Sequence, residues 1–339
     1  MTSPLTVLDT LGRPMRDLRV SVTDRCNFRC GYCMPKEVFG PDHAFMARTE
    51  ILDFEEIERV VRASVALGVR KVRLTGGEPL VRRNLENLVR MLVGIRGIED
   101  LTLTTNASLL ASKARALADA GLQRVTVSLD ALDDGTFMRM NDVGFPVQRV
   151  LDGIAAADAV GLGPIKVNAV IRRGLNEHAV LELAERFRGT DTTVRFIEYM
   201  DVGHSNGWRL HDVVPAAEIV AVINARWALE PVDPDYRGEV AQRYRYRDGA
   251  GEIGVISSVT QPFCGDCTRA RLSADGRIFT CLFATAGHDL RGLLRSGVDD
   301  ASVADALRVI WAGRSDRYSE LRTLDTVDLP KVEMSYIGG

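Results

Sequence analysis

Between residues 18 and 200, short runs of alternating apolar and polar residues are each followed by a longer stretch with helical spacing. Alternation with period two presents side chains to opposite faces of a strand, whereas apolar residues three and four apart mark one face of a helix. Six strands are predicted, at 18–22, 71–75, 101–104, 125–129, 165–171 and 194–199. The first long helix is predicted to start at Asp53, an N-cap residue with Glu56 three positions on. It carries Phe54, Ile57, Val60, Val61 and Val65 on one face and ends before Gly68. Gly97, Gly121 and Gly161 close later helices before the next strand, so the repeating unit is strand–helix and the sheet should be parallel.

Five of these strands carry polar residues in one phase: Arg19 and Ser21, Arg73 and Thr75, Thr102 and Thr104, Thr126 and Ser128, Lys166 and Asn168. The other phase is apolar and should meet the helices. A closed eight-stranded barrel fills its interior with branched apolar side chains, so a polar interior predicts an incomplete, wider barrel around a wet, charged cavity. The alternative, a one-sided antiparallel sheet facing water, conflicts with the helices between the strands. After residue 200 the pattern changes to one helix at 215–227 and strands at 242–247, 252–259, 269–273 and 277–282. Ala274-Asp275-Gly276 is the expected hairpin turn. The expected organisation is a partial barrel over residues 1–215 and a smaller α+β module over residues 216–339.

A chain of 339 residues with 46% hydrophobic and 26% charged residues has the composition of a folded protein and excludes a largely disordered one. The net charge of −3 supplies no basic field for nucleic acid or an anionic membrane, so any polyanion must be met by local charge. The first residues contain no hydrophobic signal core and no later stretch of 18 residues lacks charge, which predicts a cytoplasmic chain with no membrane contact.

The six cysteines change the picture more than the composition does. They form two triplets, Cys26, Cys30, Cys33 and Cys264, Cys267, Cys281, with none between. Odd, tightly spaced sets point to metal or cluster ligation rather than to disulfides. Three thiolates leave one coordination position open, as in a cubane iron–sulfur cluster with a free iron, whereas structural zinc takes four protein ligands. For the second triplet, a zinc site completed by His288 is a chemically reasonable alternative.

Cys26-x3-Cys30-x2-Cys33 with Tyr32 before the last cysteine resembles the radical S-adenosylmethionine superfamily, and Gly76-Gly77-Glu78-Pro79 resembles its methionine-binding segment. Four more features extend the likeness over essentially the full chain: Thr23-Asp24-Arg25-Cys26-Asn27, Leu74 to Pro79, Arg195 to Met200, and the Gly338-Gly339 end. Together they resemble the GTP 3′,8-cyclase family of molybdenum cofactor biosynthesis. The resemblance implies a partial (β/α)6 TIM-type barrel with a C-terminal iron–sulfur module, two 4Fe-4S clusters on the two triplets, and S-adenosylmethionine (SAM) held by Tyr32, Gly77, Ser128 and Met200. It further implies GTP contacts from Arg19, Arg73, Thr104, Lys166, Arg269, Ala270 and Arg271, and a diglycine tail that reaches the active site. The implied reaction is a lyase-type cyclisation in which an adenosyl radical takes hydrogen from ribose C3′ and the carbon radical attacks guanine C8. Implied partners are a one-electron donor and cyclic pyranopterin monophosphate synthase downstream, and a homodimer is compatible. The family often has Asn and a larger apolar residue where Thr268 and Ala270 stand. A peptide-modifying radical enzyme would share the first triplet but usually carries more C-terminal cysteines. A zinc-stabilised nucleic-acid module would account for the second triplet alone.

Overall fold

The structure, a computed structural model, describes residues 6–322, 329 and 331–338. Its centre is a run of six parallel strands in chain order: β1 (Asp17–Ser21), β2 (Lys71–Thr75), β3 (Asp100–Thr105), β4 (Arg124–Ser128), β5 (Lys166–Ile171) and β6 (Thr193–Glu198). Each lies within a residue of its predicted bounds. The apolar phase, including Val20, Val72, Leu103, Val127 and Val167, is completely buried beneath the connecting helices. Those helices are α1 (Phe54–Ala66), α2 (Leu85–Val93), α3 (Leu110–Asp119), α4 (Asp134–Asn141), α5 (Val147–Ala159) and α6 (Ala179–Phe187). The start of α1 follows the predicted capping box: the Glu56 amide donates to the Asp53 side chain at 2.7 Å, and the Asp53 amide donates to Glu56 at 2.9 Å.

The C-terminal strands extend the same sheet at both of its edges. β10 (Arg269–Leu272) pairs in parallel with β1 and carries β11 (Arg277–Phe279) and β12 (His288–Asp289) antiparallel outside it. At the other edge β9 (Glu252–Ile256) pairs in parallel with β6, followed by β8 (Gln242–Tyr246) and β7 (Leu229–Val232). The resulting twelve-stranded order runs from β12 through β1 to β6 and on to β7. Among the described residues β12 and β7 do not pair, so the six-strand barrel stays partial.

β9 and β11 stop three residues short of their predicted ends, because the following segments are captured by side chains. The Val259 and Thr260 amides donate to buried Glu198 at 2.8 and 2.9 Å, and the Thr280 carbonyl accepts from Arg314 at 3.0 Å. Pattern reading does not anticipate β7, an edge strand that tolerates Pro231. It also does not anticipate α9 (Asp300–Ala312), which lies after α7 (Ala216–Arg226) and α8 (Arg291–Arg295) and is capped by Asp299. Among the described residues no helix is long and apolar enough to cross a membrane.

Candidate active site

The polar strand phase faces one open cavity of about 2240 Å³ including the solvent at its mouth. Arg19, Arg73, Thr75, Thr104, Ser128, Lys166 and Asn168 line it, as the alternation predicts, and both cysteine triplets border it. Strand direction separates the triplets. Cys26, Cys30 and Cys33 follow the C-terminal end of β1, whereas Cys264 and Cys267 precede β10, whose Arg269 is in register with Asp17 at the start of β1. Cys281 follows β11, which runs antiparallel to β10 and so returns to that same end. The thiol sets therefore occupy opposite ends of one cationic wall.

The first cysteine loop is held from several sides. Arg29 donates to the Cys26 and Phe28 carbonyls at 2.8 Å and to Phe39 at 2.6 Å, while Phe28 packs on Phe137 and Phe145. The Tyr32 hydroxyl donates at 2.9 Å to buried Asp130, whose carboxyl burial pushes up to about 6. At Gly76-Gly77-Glu78 the missing side chains let the backbone approach the cysteine loop itself. The Gly77 and Glu78 amides donate to the Thr23 and Arg25 carbonyls at 2.8 Å, and a Cβ on Gly77 would stand 2.4 Å from the Arg25 oxygen. Glu78 is buried and already accepts from the Leu80 and Asn106 amides and the Thr105 hydroxyl; burial pushes its carboxyl up to about 7.

All six cysteines are free thiols. Burial holds Cys30 and Cys33 well above the usual thiol range and Cys26 up at about 12. Iron must therefore displace their protons as it binds. At the second triplet burial pushes Cys281 up to about 11. It acts on Cys267 too, but Arg269, donating to the sulfur at 3.3 Å, and Arg314 outweigh it and bring that thiol down to about 6. Among the described residues no three His, Cys, Asp or Glu side chains converge on a single metal ion. His288 lies exposed on β12 outside the cavity, which removes the geometric support for a zinc site completed by it. Two open sets of three thiols, each on a cavity wall, suit a cluster wider than one ion with an iron left free.

The wall between the triplets is positive. Register aligns Arg271, Arg19 and Arg73 side by side across β10, β1 and β2. Burial and neighbouring arginines lower the Arg19 pKa well below its ordinary value, and burial brings Arg73 down to about 10 and Arg271 to about 9. Such shifts measure the cost of holding guanidinium without an anion rather than deprotonation. Arg73 donates to Thr104 and Thr126 at 2.9 and 3.0 Å, which aims it along the wall. Lys166 is lowered to about 8 by burial and then by Arg195, Arg124 and Lys71.

Of the expected residues, Tyr32, Gly77, Ser128, Met200, Arg19, Arg73, Thr104, Lys166, Arg269 and Arg271 all border the cavity. Ala270 does not: alternation along β10 buries its side chain in the hydrophobic core on the opposite face. Thr268 turns its hydroxyl onto Asp17 at 2.8 Å. Gly338 reaches the wall, packing on Thr75 with its carbonyl accepting from Arg271, while Gly339 lies outside the described residues. Missed from sequence were Arg195, which shares the inward phase and donates to Asn168 at 2.9 Å, and the loop whose Tyr236 and Glu239 line the cavity. Arg195 was detectable by the same alternation; the loop carries no periodic signal.

Residues 20–187 match the Radical SAM superfamily model and residues 192–320 the Molybdenum Cofactor Synthesis C model. A protein named GTP 3′,8-cyclase from Acidothermus cellulolyticus is 57% identical over the whole of both chains. One of that name from Xanthomonas axonopodis pv. citri is 52% identical, again over both full lengths. A third, from Staphylococcus aureus, is 48% identical over 98% of this chain and 99% of its own. Among solved structures, Streptococcus suis SuiB bound to S-adenosylmethionine superposes with a TM-score of 0.61 over 87% of this chain and 68% of its own. At 17% identity that likeness speaks for the fold alone.

The close approach at Gly77 gives a direct test. Gly77→Ala forces a methyl group into the Arg25 backbone, whereas Gly31 in the same loop has open space at its Cβ position. With the second triplet replaced by serine, Gly77→Ala is expected to lose at least about half of the bound iron after anaerobic reconstitution. Gly31→Ala is expected to retain it. Iron per chain is the measurement, and equal iron in both would refute the docking role.

Proposed function

This chain belongs to the GTP 3′,8-cyclase family, and we propose that its cavity holds SAM at the first triplet and GTP along the arginine wall toward the second. The chain is a radical SAM enzyme converting GTP to 3′,8-cyclo-7,8-dihydro-GTP, the first step of molybdenum cofactor biosynthesis. The observation that carries the residue assignment is the row of inward-facing arginines between two thiol sets at opposite ends of one cavity. With 4Fe-4S clusters on both triplets, reductive cleavage of SAM supplies the 5′-deoxyadenosyl radical that removes the C3′ hydrogen.

The chain's own residues then have distinct tasks. Arg19, Arg73, Lys166 and Arg271 neutralise the triphosphate, and Arg195, facing the same cavity, joins them. Arg269 holds Cys267 and places a guanidinium beside the second triplet, where the guanine is oriented. Tyr32, Gly77, Ser128 and Met200 bound the SAM end, with Asp130 fixing the Tyr32 hydroxyl. The C3′ radical closes the C3′–C8 bond, after which one electron and one proton complete the dihydro product. We assign the electron to an external one-electron donor and the next step to cyclic pyranopterin monophosphate synthase.

Two experiments test the division. Cys33→Ala is expected to abolish 5′-deoxyadenosine formation, because it removes one of only three ligands. Cys281→Ala is expected to retain uncoupled cleavage while losing cyclised product. Equal, complete loss of 5′-deoxyadenosine in both folded variants would contradict the assignment. For the wall, Lys166→Ala should weaken GTP binding by about ten- to a hundredfold, the ~1.5–3 kcal/mol of a charge-assisted hydrogen bond, with SAM binding unchanged. Lys166 is charged below about pH 8 and neutral above it in the free protein. GTP affinity should therefore fall as pH rises through 8, with proton uptake on binding, and Lys166→Arg should flatten that slope. Calorimetry in buffers of different ionisation enthalpy checks it; pH-independent affinity in the parent protein would overturn the Lys166 role.

A further inference from the structure

The second triplet is braced from behind by residues near the two chain ends. Asp9 accepts Arg13 Nε at 2.6 Å and Arg314 Nη1 at 3.1 Å, with the three side chains at most 1% exposed. Arg13 Nη1 donates to the carbonyls of Cys264 at 2.7 Å and Asp316 at 2.9 Å. Arg314 donates to the Cys267 carbonyl at 2.7 Å and, through Nε, to Thr280 at 3.0 Å. Each cysteine of the triplet thus has its own carbonyl, or that of the preceding residue, tied to one of two arginines joined by a single carboxylate.

The brace is itself built locally. The Asp9 carboxylate accepts the Leu11 and Arg13 amides at 2.9 Å, closing a tight loop, and the Trp311 indole donates to the Arg13 carbonyl at 3.0 Å. Thr10 donates to the Arg314 carbonyl at 2.6 Å, and Arg314 lies over the Trp311 ring. Burying two guanidiniums costs several kcal/mol per ion before pairing. An apolar filling would pack there without that cost, but it could not hold three outward carbonyls whose loop has no regular ladder.

We infer that Arg13 and Arg314, bridged by Asp9, are positioning residues that fix the spacing of Cys264, Cys267 and Cys281 for the second cluster and so for GTP. The inference rests on the reading that this triplet holds a cluster. A lysine at position 314 keeps the charge but cannot serve Asp9, Cys267 and Thr280 together, because Arg314 meets them from two nitrogens, Nη1 and Nε, whereas an ammonium has one.

The test uses the full-length chain in two backgrounds, one with the first triplet replaced by alanine and one with the second, so that iron reports one site at a time. Arg314→Met is expected to lower second-site iron at least fivefold and leave first-site iron and 5′-deoxyadenosine formation at parent levels. Arg314→Lys is expected to lie between in second-site iron, and in the chain with both triplets intact to raise KM for GTP about tenfold with KM for SAM unchanged. Parent-level second-site iron in Arg314→Met, or parallel loss at both sites in the two variants, would overturn the inference. If the parent protein itself takes up no iron at the second triplet, the cluster reading fails independently of these residues.

Discussion

Unneutralised positive charge on the inner face of a parallel sheet is the constraint to which the rest of the molecule answers. Arg271, Arg19 and Arg73 stand in one register row, and Arg195 and Lys166 face the same space, the pKa of each lowered by burial first and then by neighbouring cations. A sheet that closed fully would have no room for them or for the anion that relieves them. The barrel stops at six strands, and its edges continue into the C-terminal strands. That arrangement lets β10 insert Arg269 and Arg271 beside Arg19 and bring the second triplet to the opposite end from the first.

The two cysteine loops solve a common problem differently. At the first, backbone fits backbone: glycine at position 77 lets the β2 turn seat directly on the residues before Cys26, and Glu78 ties that turn to the next strand end through Thr105 and Asn106. At the second, charged side chains from distant segments hold the loop carbonyls. The electrostatics differ accordingly. Burial dominates at the first thiols, whereas arginines overcome it at Cys267.

Period-two alternation made the strands and the inward phase legible, because a strand has only two faces and the helices claim one of them. The same rule places Arg269 and Arg271 in the cavity and Ala270 in the core, the one expected GTP contact whose side chain faces away. Cysteine spacing located both triplets. What alternation cannot reveal is contact between residues far apart in the chain with no repeating pattern. The Asp9–Arg13–Arg314 brace spans about 300 residues of sequence, and its members look like ordinary surface charge until the fold buries them. The Tyr236 loop and the seat of Gly338 against Thr75 are hidden for the same reason.

The central claim is that one cavity brings SAM-derived radical chemistry to the ribose of a bound GTP. Anaerobic incubation of reconstituted protein with dithionite, SAM and GTP deuterated at C3′ tests it most directly. The account predicts 5′-deoxyadenosine carrying one deuterium, formed in step with the cyclised nucleotide. Unlabelled 5′-deoxyadenosine, or cyclised nucleotide that retains the C3′ deuterium, would contradict it.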